Sequence, residues 1–334
     1  MRVLGIETSC DETAAAVLEN GDRLLSNVIW SQHEVHGKYG GIVPELAGRR
    51  HVETVHLVIE EALRQADVTL EDIDLIGVTN GPGLVVSLLV GVNTAKALGY
   101  ACNLPVVGIN HLEGHLLAIM LQEPVAFPFL ALIVSGGHTD LVRADAVGDY
   151  KVIGRTRDDA AGESFDKVAK MLGLGYPGGP LIERAGREGN AAAFDFPRSM
   201  MENGNLDFSF SGLKSAVRRL LEKYEAEART PSTADVAASF QEAAVDVLVA
   251  KLFQAAEREN LKRLVLTGGV AANGRLRQRL QAESEERGYE CFIPRPVFCT
   301  DNAAMIAAAA YNKYRNHSVS SDVLTLDASS NLAF

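Results

Sequence analysis

The apolar positions of this chain fall into short runs separated by turns of small and polar residues. Residues 3–8 (VLGIET) form one such run, a polar turn follows, and 14–20 (AAAVLEN) resumes, which predicts a strand–turn–strand hairpin. Residues 129–134 (FLALIV), the turn SGGHTD and LVRAD repeat that form. DLIGVTNGPG (74–83) reads as a buried strand entering a glycine turn, followed by the helical run LVVSLLVGVNTAKALGY. Its counterpart is RLVLTGGVAAN (263–273), followed by GRLRQRLQAESEER. A third pair, PVVGINHLEGH (105–115) and CFIPRPVFCTDNAAMIAAAA (291–310), reads twice as a short strand running into a helix. Three pairs in the same order predict a duplicated α/β lobe, 1–125 and then 126–334, with the boundary at the proline-bearing EPVAFPF. The second lobe carries extra length at about 155–230, including GYPGGP and FSFSGLKSA, and insertions of this kind build sites or lids rather than cores.

A chain of 334 residues has room for two lobes, since single cores rarely grow past roughly 250–300 residues. The formal net charge of −11 argues against gripping nucleic acid by bulk electrostatics and leaves only a focused surface or a helper. Cys10, Cys102, Cys291 and Cys299 have no paired spacing, as a reducing cytosol permits. The N-terminus enters a strand at once, and no uninterrupted apolar run reaches the roughly 18 residues of a membrane span, so the expectation is a soluble, cytoplasmic chain with no membrane role. Two lobes, each with a hairpin whose turn is small and polar, is the arrangement of the actin/Hsp70/sugar-kinase (ASKHA) ATPases. Turns without bulky side chains let backbone N–H groups reach a phosphate. Singly, SGGHT or TGGVAAN would be a plain tight turn; duplicated, they point to a nucleotide.

HLEGH places His111 and His115 four residues apart, on one face of a helix. The pair also reads as two hydrogen-bonded histidines near a helix start. The duplication favours a metal, because the matching junction of the second lobe carries Asp301 and would aim it at the histidines across a cleft. Two histidines and a carboxylate leave positions open for substrate, and either iron or zinc suits them. A zinc-protease reading fails on Glu113, which stands two residues after His111 and so points off the ligand face, leaving no general base. Ser9 and Cys10 read as the lining of a tight turn, with no triad spacing to support a nucleophile.

IETSCDET (6–13), SQHEVHGKYGGIVPELAGRRH (31–51), NHLEGH (110–115), LIVSGGHTDL (132–141), DDAAGESFDKVAKMLGLGYPGGP (158–180), FSFSGLKSA (208–216), TGGVAANGRLR (267–277) and CTDNAAMIA (299–307) together resemble the TsaD family, in order and over essentially the whole chain. The resemblance implies transfer of a threonylcarbamoyl group from threonylcarbamoyl-AMP to the exocyclic amine of adenosine 37, in tRNAs reading codons that begin with A. The product is N(6)-threonylcarbamoyladenosine. It makes His111, His115 and Asp301 the ligands of one divalent metal, Fe(2+) or Zn(2+). It puts Val134, Ser135, Gly136, Gly137, His138, Asp166, Gly179 and Asn273 at the adenylate, with Glu183 near the ribose. Asp11, Glu12 and His138 are the candidates for a general base. The implied partners are tRNA, a TsaB-type paralogue at the first lobe and a TsaE-type ATPase. Val86 stands where the family often has glycine, and Asn80 where it has a small residue. The other readings of the chain are an actin-like ATPase or sugar kinase, a non-enzymatic nucleotide-binding subunit, and a metallopeptidase.

Overall fold

A computed structural model describes residues 1–201, 204–316 and 323–334. The chain opens with the hairpin β1 (Arg2–Glu7) and β2 (Glu12–Glu19), extended by β3 (Arg23–Ser31). After the short α1 (His33–Gly37) and the long α2 (Pro44–Ala66) come β4 (Leu75–Gly81), α3 (Val85–Cys102), β5 (Val106–Asn110) and α4 (His111–Leu117). A second hairpin follows, β6 (Phe129–Val134) with β7 (Thr139–Ala146), extended by β8 (Asp149–Arg155). The insertion holds α5 (Ala161–Met171), α6 (Gly178–Gly186) and α7 (Ser211–Ala226). Then come α8 (Thr233–Glu259), β9 (Arg263–Thr267), α9 (Gly274–Arg287), β10 (Glu290–Phe292), α10 (Pro296–Cys299) and α11 (Ala303–Asn316).

The two sheets share one topology: β3-β2-β1-β4-β5 in the first and, read in the same sense, β8-β7-β6-β9-β10 in the second. In each, an antiparallel hairpin leads and parallel strands join its first member. This bears out the duplicated α/β reading.

The chain divides into two compact units: residues 1–126, 146–150 and 297–334, and residues 127–145 and 151–296. The expected lobes differ from these units at the C-terminus, because 297–334 packs with the first unit. The reason is visible along β1. Strand side chains alternate between faces, so Leu4 and Ile6 join the core formed with Val55, Ile59 and Val92 of α2 and α3. Gly5 and Gly77 face the other way, and a Cβ on them would stand 2.3 Å from the Ala303 carbonyl oxygen and 2.4 Å from Ala310 Cβ. The alanine run of α11 thus fits a groove that glycine leaves open on the first sheet.

Among the described residues, α3 is the one helix long and apolar enough to cross a membrane by length and composition. In the fold it packs against β4 and α2, with Leu88, Val92 and Ala95 buried and Val85, Val86 and Leu89 exposed. Val86 lies over Gly48 of α2, whose Cβ would come within 3.2 Å of it. Asn80 ties the C-terminal segment down by donating to the Asp327 carbonyl at 3.2 Å.

Candidate functional site

The expected metal ligands converge within the first unit. Strand β5 ends at Asn110, whose side-chain oxygen caps α4 by accepting from the backbone N–H of Leu112 at 2.9 Å. That cap fixes the start of the helix carrying His111 and His115. Asn302 does the same for α11, accepting from Met305 N–H at 3.0 Å and donating to the Thr300 carbonyl at 2.7 Å, which holds Asp301 between them. Asp301 Oδ1 lies 3.1 Å from His115 Nε2 and 3.5 Å from His111 Nε2. The imidazoles stand edge to face, 4.7 Å between centroids. Asp301 comes from the first unit itself and not from across a cleft, because the helix it precedes lies on the first sheet.

Behind His111 stands a carboxylate that the sequence reading missed. Glu7 ends the apolar strand β1, is fully buried, and places Oε2 3.1 Å from His111 Nδ1. Ser9 Oγ lies 3.1 Å from the same nitrogen. The Thr79 hydroxyl and the Ser9 backbone N–H both donate to Glu7. A carboxylate behind a ligating histidine orients the ring and raises its basicity. The available signal was a charged residue closing an otherwise apolar run, next to the turn expected to line a ligand.

Burial pushes the His111 imidazole down, but Asp301 and Glu7 more than offset it and hold it well above the usual value. Burial pushes Asp301 up, and the two imidazoles pull it well below the carboxylate range. Burial lowers His115. Buried Glu7 and half-buried Asp301 around one imidazole make a site that favours positive charge. A divalent cation fits its donors: two imidazole nitrogens and a carboxylate oxygen, all within 4.8 Å of one another. Glu113 takes no part. It accepts a hydrogen bond from the Tyr150 hydroxyl at 3.1 Å, and burial and that carboxylate push the phenol far up.

The expected adenylate residues all lie in the second unit. Val134 closes β6, and the turn that follows is held by Ser135 N–H to the His138 carbonyl at 2.8 Å and His138 N–H to Ser135 Oγ at 3.1 Å. Gly162, in the first turn of α5, donates to the Ser135 carbonyl at 3.2 Å. A Cβ on Gly136 or Gly137 would meet nothing within 4 Å, so their backbone is open to a ligand. Asp166 on α5 accepts from Gly178 N–H at 2.7 Å, which puts it beside Gly179 at the start of α6. Farther along α6, a Cβ on Gly274 would stand 2.9 Å from Glu183 Oε1. Asn273 therefore adjoins Glu183, but its own side chain caps α9 and donates to Gln241 at 2.8 Å. Asp11 and Glu12 lie apart from this group, in the first unit, beside His33.

The chain matches the family model described as tRNA N6-adenosine threonylcarbamoyltransferase over residues 23–308. A protein of that name from Desulfitobacterium hafniense is 56% identical over 315 residues, covering 94% of this chain and 92% of its own length. Another, from Syntrophotalea carbinolica, is 52% identical and covers 99% of this chain and 96% of its own. Among solved structures, component A of the (R)-2-hydroxyglutaryl-CoA dehydratase of Acidaminococcus fermentans aligns with TM-score 0.58 at 17% identity, over 95% of this chain and all of its own. HypF from T. kodakarensis aligns with TM-score 0.62 at 13% identity, over 97% of this chain and 50% of its own. At such identities the structural likeness speaks for the fold alone, and that fold is of the ASKHA type.

Proposed function

This chain belongs to the tRNA N6-adenosine threonylcarbamoyltransferase family, TsaD, and from that membership we propose how its residues share the reaction. It is a transferase that modifies the N6 amine of adenosine in tRNA. The donor we assign is threonylcarbamoyl-AMP, and the acceptor is adenosine 37 of tRNAs reading codons that begin with A. The amine nitrogen forms a bond to the carbamoyl carbonyl carbon, the bond from that carbon to the phosphate oxygen breaks, and AMP leaves. The amine proton passes to a base, for which Asp11, Glu12 and His138 are the groups available. The donor arrives activated, so the protein's task is to hold a weak nucleophile against it.

The AMP part rests on the open turn Ser135–His138, where backbone N–H groups suit an anion. Asp166, with Gly179 beside it, accepts from ribose hydroxyls; Glu183 and Asn273 complete that rim. His111, His115 and Asp301 hold the cation, with Glu7 fixing the tautomer of His111. Bound there, a divalent metal supplies orientation and Lewis-acid polarisation of the threonylcarbamoyl carbonyl. Two histidines and one carboxylate with open positions favour Fe(2+), with Zn(2+) as the alternative. The chain acts in the cytoplasm with a TsaB-type paralogue and a TsaE-type ATPase.

The observation that carries this reading is the His111–His115–Asp301 cluster in a chain more than half identical to transferases of that name. The peptidase reading lacks its base, since Glu113 is bonded to Tyr150. The test is mass spectrometry of tRNA nucleosides after incubation with threonylcarbamoyl-AMP, the metal-loaded chain and its partners. The expected product is N(6)-threonylcarbamoyladenosine, and unmodified tRNA under those conditions overturns the proposal.

A further inference from the structure

A second group of metal-type donors stands in the first unit, apart from the one just described. Asp11 and Glu12 leave the turn after β1, and His33 opens α1. His33 Nε2 lies 3.2 Å from Glu12 Oε1 and 3.7 Å from Asp11 Oδ2. One donor atom from each residue falls within 4.8 Å of the other two. The His111–His115–Asp301 group shows nearly the same edges, 3.1 and 3.5 Å. Metal–donor bonds of about 2.0–2.2 Å set neighbouring donors roughly 3.0–3.5 Å apart, so both groups are already near coordination spacing.

Proximity of acidic groups is no evidence of a ligand by itself. The independent observation is Asp11 Oδ2, which is buried and has no hydrogen-bond partner among the described residues. Asp11 as a whole is 5% exposed. A buried carboxylate oxygen left without a donor is costly, and such a group asks for an ion or a proton. Burial, together with the Asp11 charge, pushes Glu12 up to about 8.

We propose that Asp11, Glu12 and His33 form a second divalent-cation site, weaker than the first, for a first-row transition ion such as Mn(2+) or Zn(2+). The imidazole favours these ions over Mg(2+), which prefers oxygen donors alone and keeps its waters. The site is weaker because the His33 side chain is 44% exposed, whereas that of His111 is 7% exposed.

The test counts metal classes on the full chain, stripped by chelator and titrated with Mn(2+) alone or Zn(2+) alone. Two classes are expected, one tight and one at least tenfold weaker. Glu12→Gln and His33→Ala each remove the weaker class and keep the tight one. The double substitution His111→Ala, His115→Ala removes the tight class and keeps the weaker. Glu12→Gln preserves shape, and equal melting temperatures show that it folds. In the double variant, electron spin-echo spectroscopy of bound Mn(2+) is expected to show one imidazole nitrogen, and adding His33→Ala to that variant abolishes the signal. A single class in the unaltered chain overturns the proposal. So does a weaker class indifferent to Glu12→Gln and His33→Ala.

Discussion

Glu7 has the task that most depends on a single atom pair. Its Oε2 sits against His111 Nδ1, fully buried, with Thr79 and Ser9 donating to it. Glu7→Gln keeps the shape and removes the negative charge behind His111, the proposed ligand. We expect metal affinity to fall roughly 10–100-fold, read by competition with a chromophoric chelator, with the melting temperature of the metal-free chain little changed. Unaltered affinity would count against the role given to Glu7. In the second unit, Asp166→Ala is expected to weaken AMP binding several-fold by calorimetry. Asp166→Asn, which keeps an acceptor for Gly178 N–H, should lose less. His111 and His115 could be found from spacing, since four residues is one helical turn. Glu7 could not, because it meets His111 only after the chain has placed β5 two strands from β1, 104 residues later.

At the scale of elements, the proposed metal centre depends on how closely α11 can approach the first sheet. Gly5 and Gly77 leave the groove, and Ala303, Ala307 and Ala310 fill it. Gly77→Ala would put two methyl carbons 2.4 Å apart in that groove, an overpacking that costs about 1–3 kcal/mol. The expected result is a lower melting temperature together with weaker metal retention, because α11 carries Asp301 with it. The alanine run and the glycines were plain in the sequence, but nothing local says which sheet an alanine helix will lie on. The repeat suggested the second lobe, by analogy with 105–115, and packing decided for the first. The insertion has a polar clasp of its own, Asp159 accepting from Lys167 at 2.9 Å on α5 and from Lys214 at 2.6 Å on α7. Burial pushes Asp159 up, and the two lysines outweigh it, leaving the carboxyl below its ordinary value of 3.8. A carboxyl with a depressed native pKa stabilises above its unfolded pKa, and that contribution disappears as pH falls through the native one. The melting difference between the unaltered chain and Asp159→Asn should therefore be full at neutral pH and vanish in strong acid. A difference independent of pH would exclude the clasp.

For the molecule as a whole, the duplication was legible because both halves repeat one order of strand, turn and helix, and the two sheets have the same topology. Surface chemistry was less so, since a run of apolar residues does not reveal which face the fold will cover. The net charge of −11 makes the chain a poor solitary ligand for tRNA, whose phosphates reward cationic surfaces. The structure sharpens this, because Arg49, Arg50, Arg275 and Arg279 are already paired with carboxylates. Arg49 pairs with Glu45 and Arg50 with Glu53, while Arg275 and Arg279 share Glu242. What the first unit does offer is apolar. Val85, Val86 and Leu89 stand exposed on the first turns of α3, and Val52 on α2, the helix that Val86 overlies at Gly48, is 61% exposed. Large apolar side chains grouped on a surface mark a protein interface more often than an idle face. The expectation is that this face receives the TsaB-type paralogue and that the isolated chain modifies tRNA without sustained turnover until partners are added. Val86→Asp or Leu89→Asp should abolish co-elution with that paralogue and the stimulation it brings. The melting temperature should hold, since these side chains already meet water. Robust multiple turnover by the chain alone would refute the prediction, and undiminished association of both variants would move the interface elsewhere.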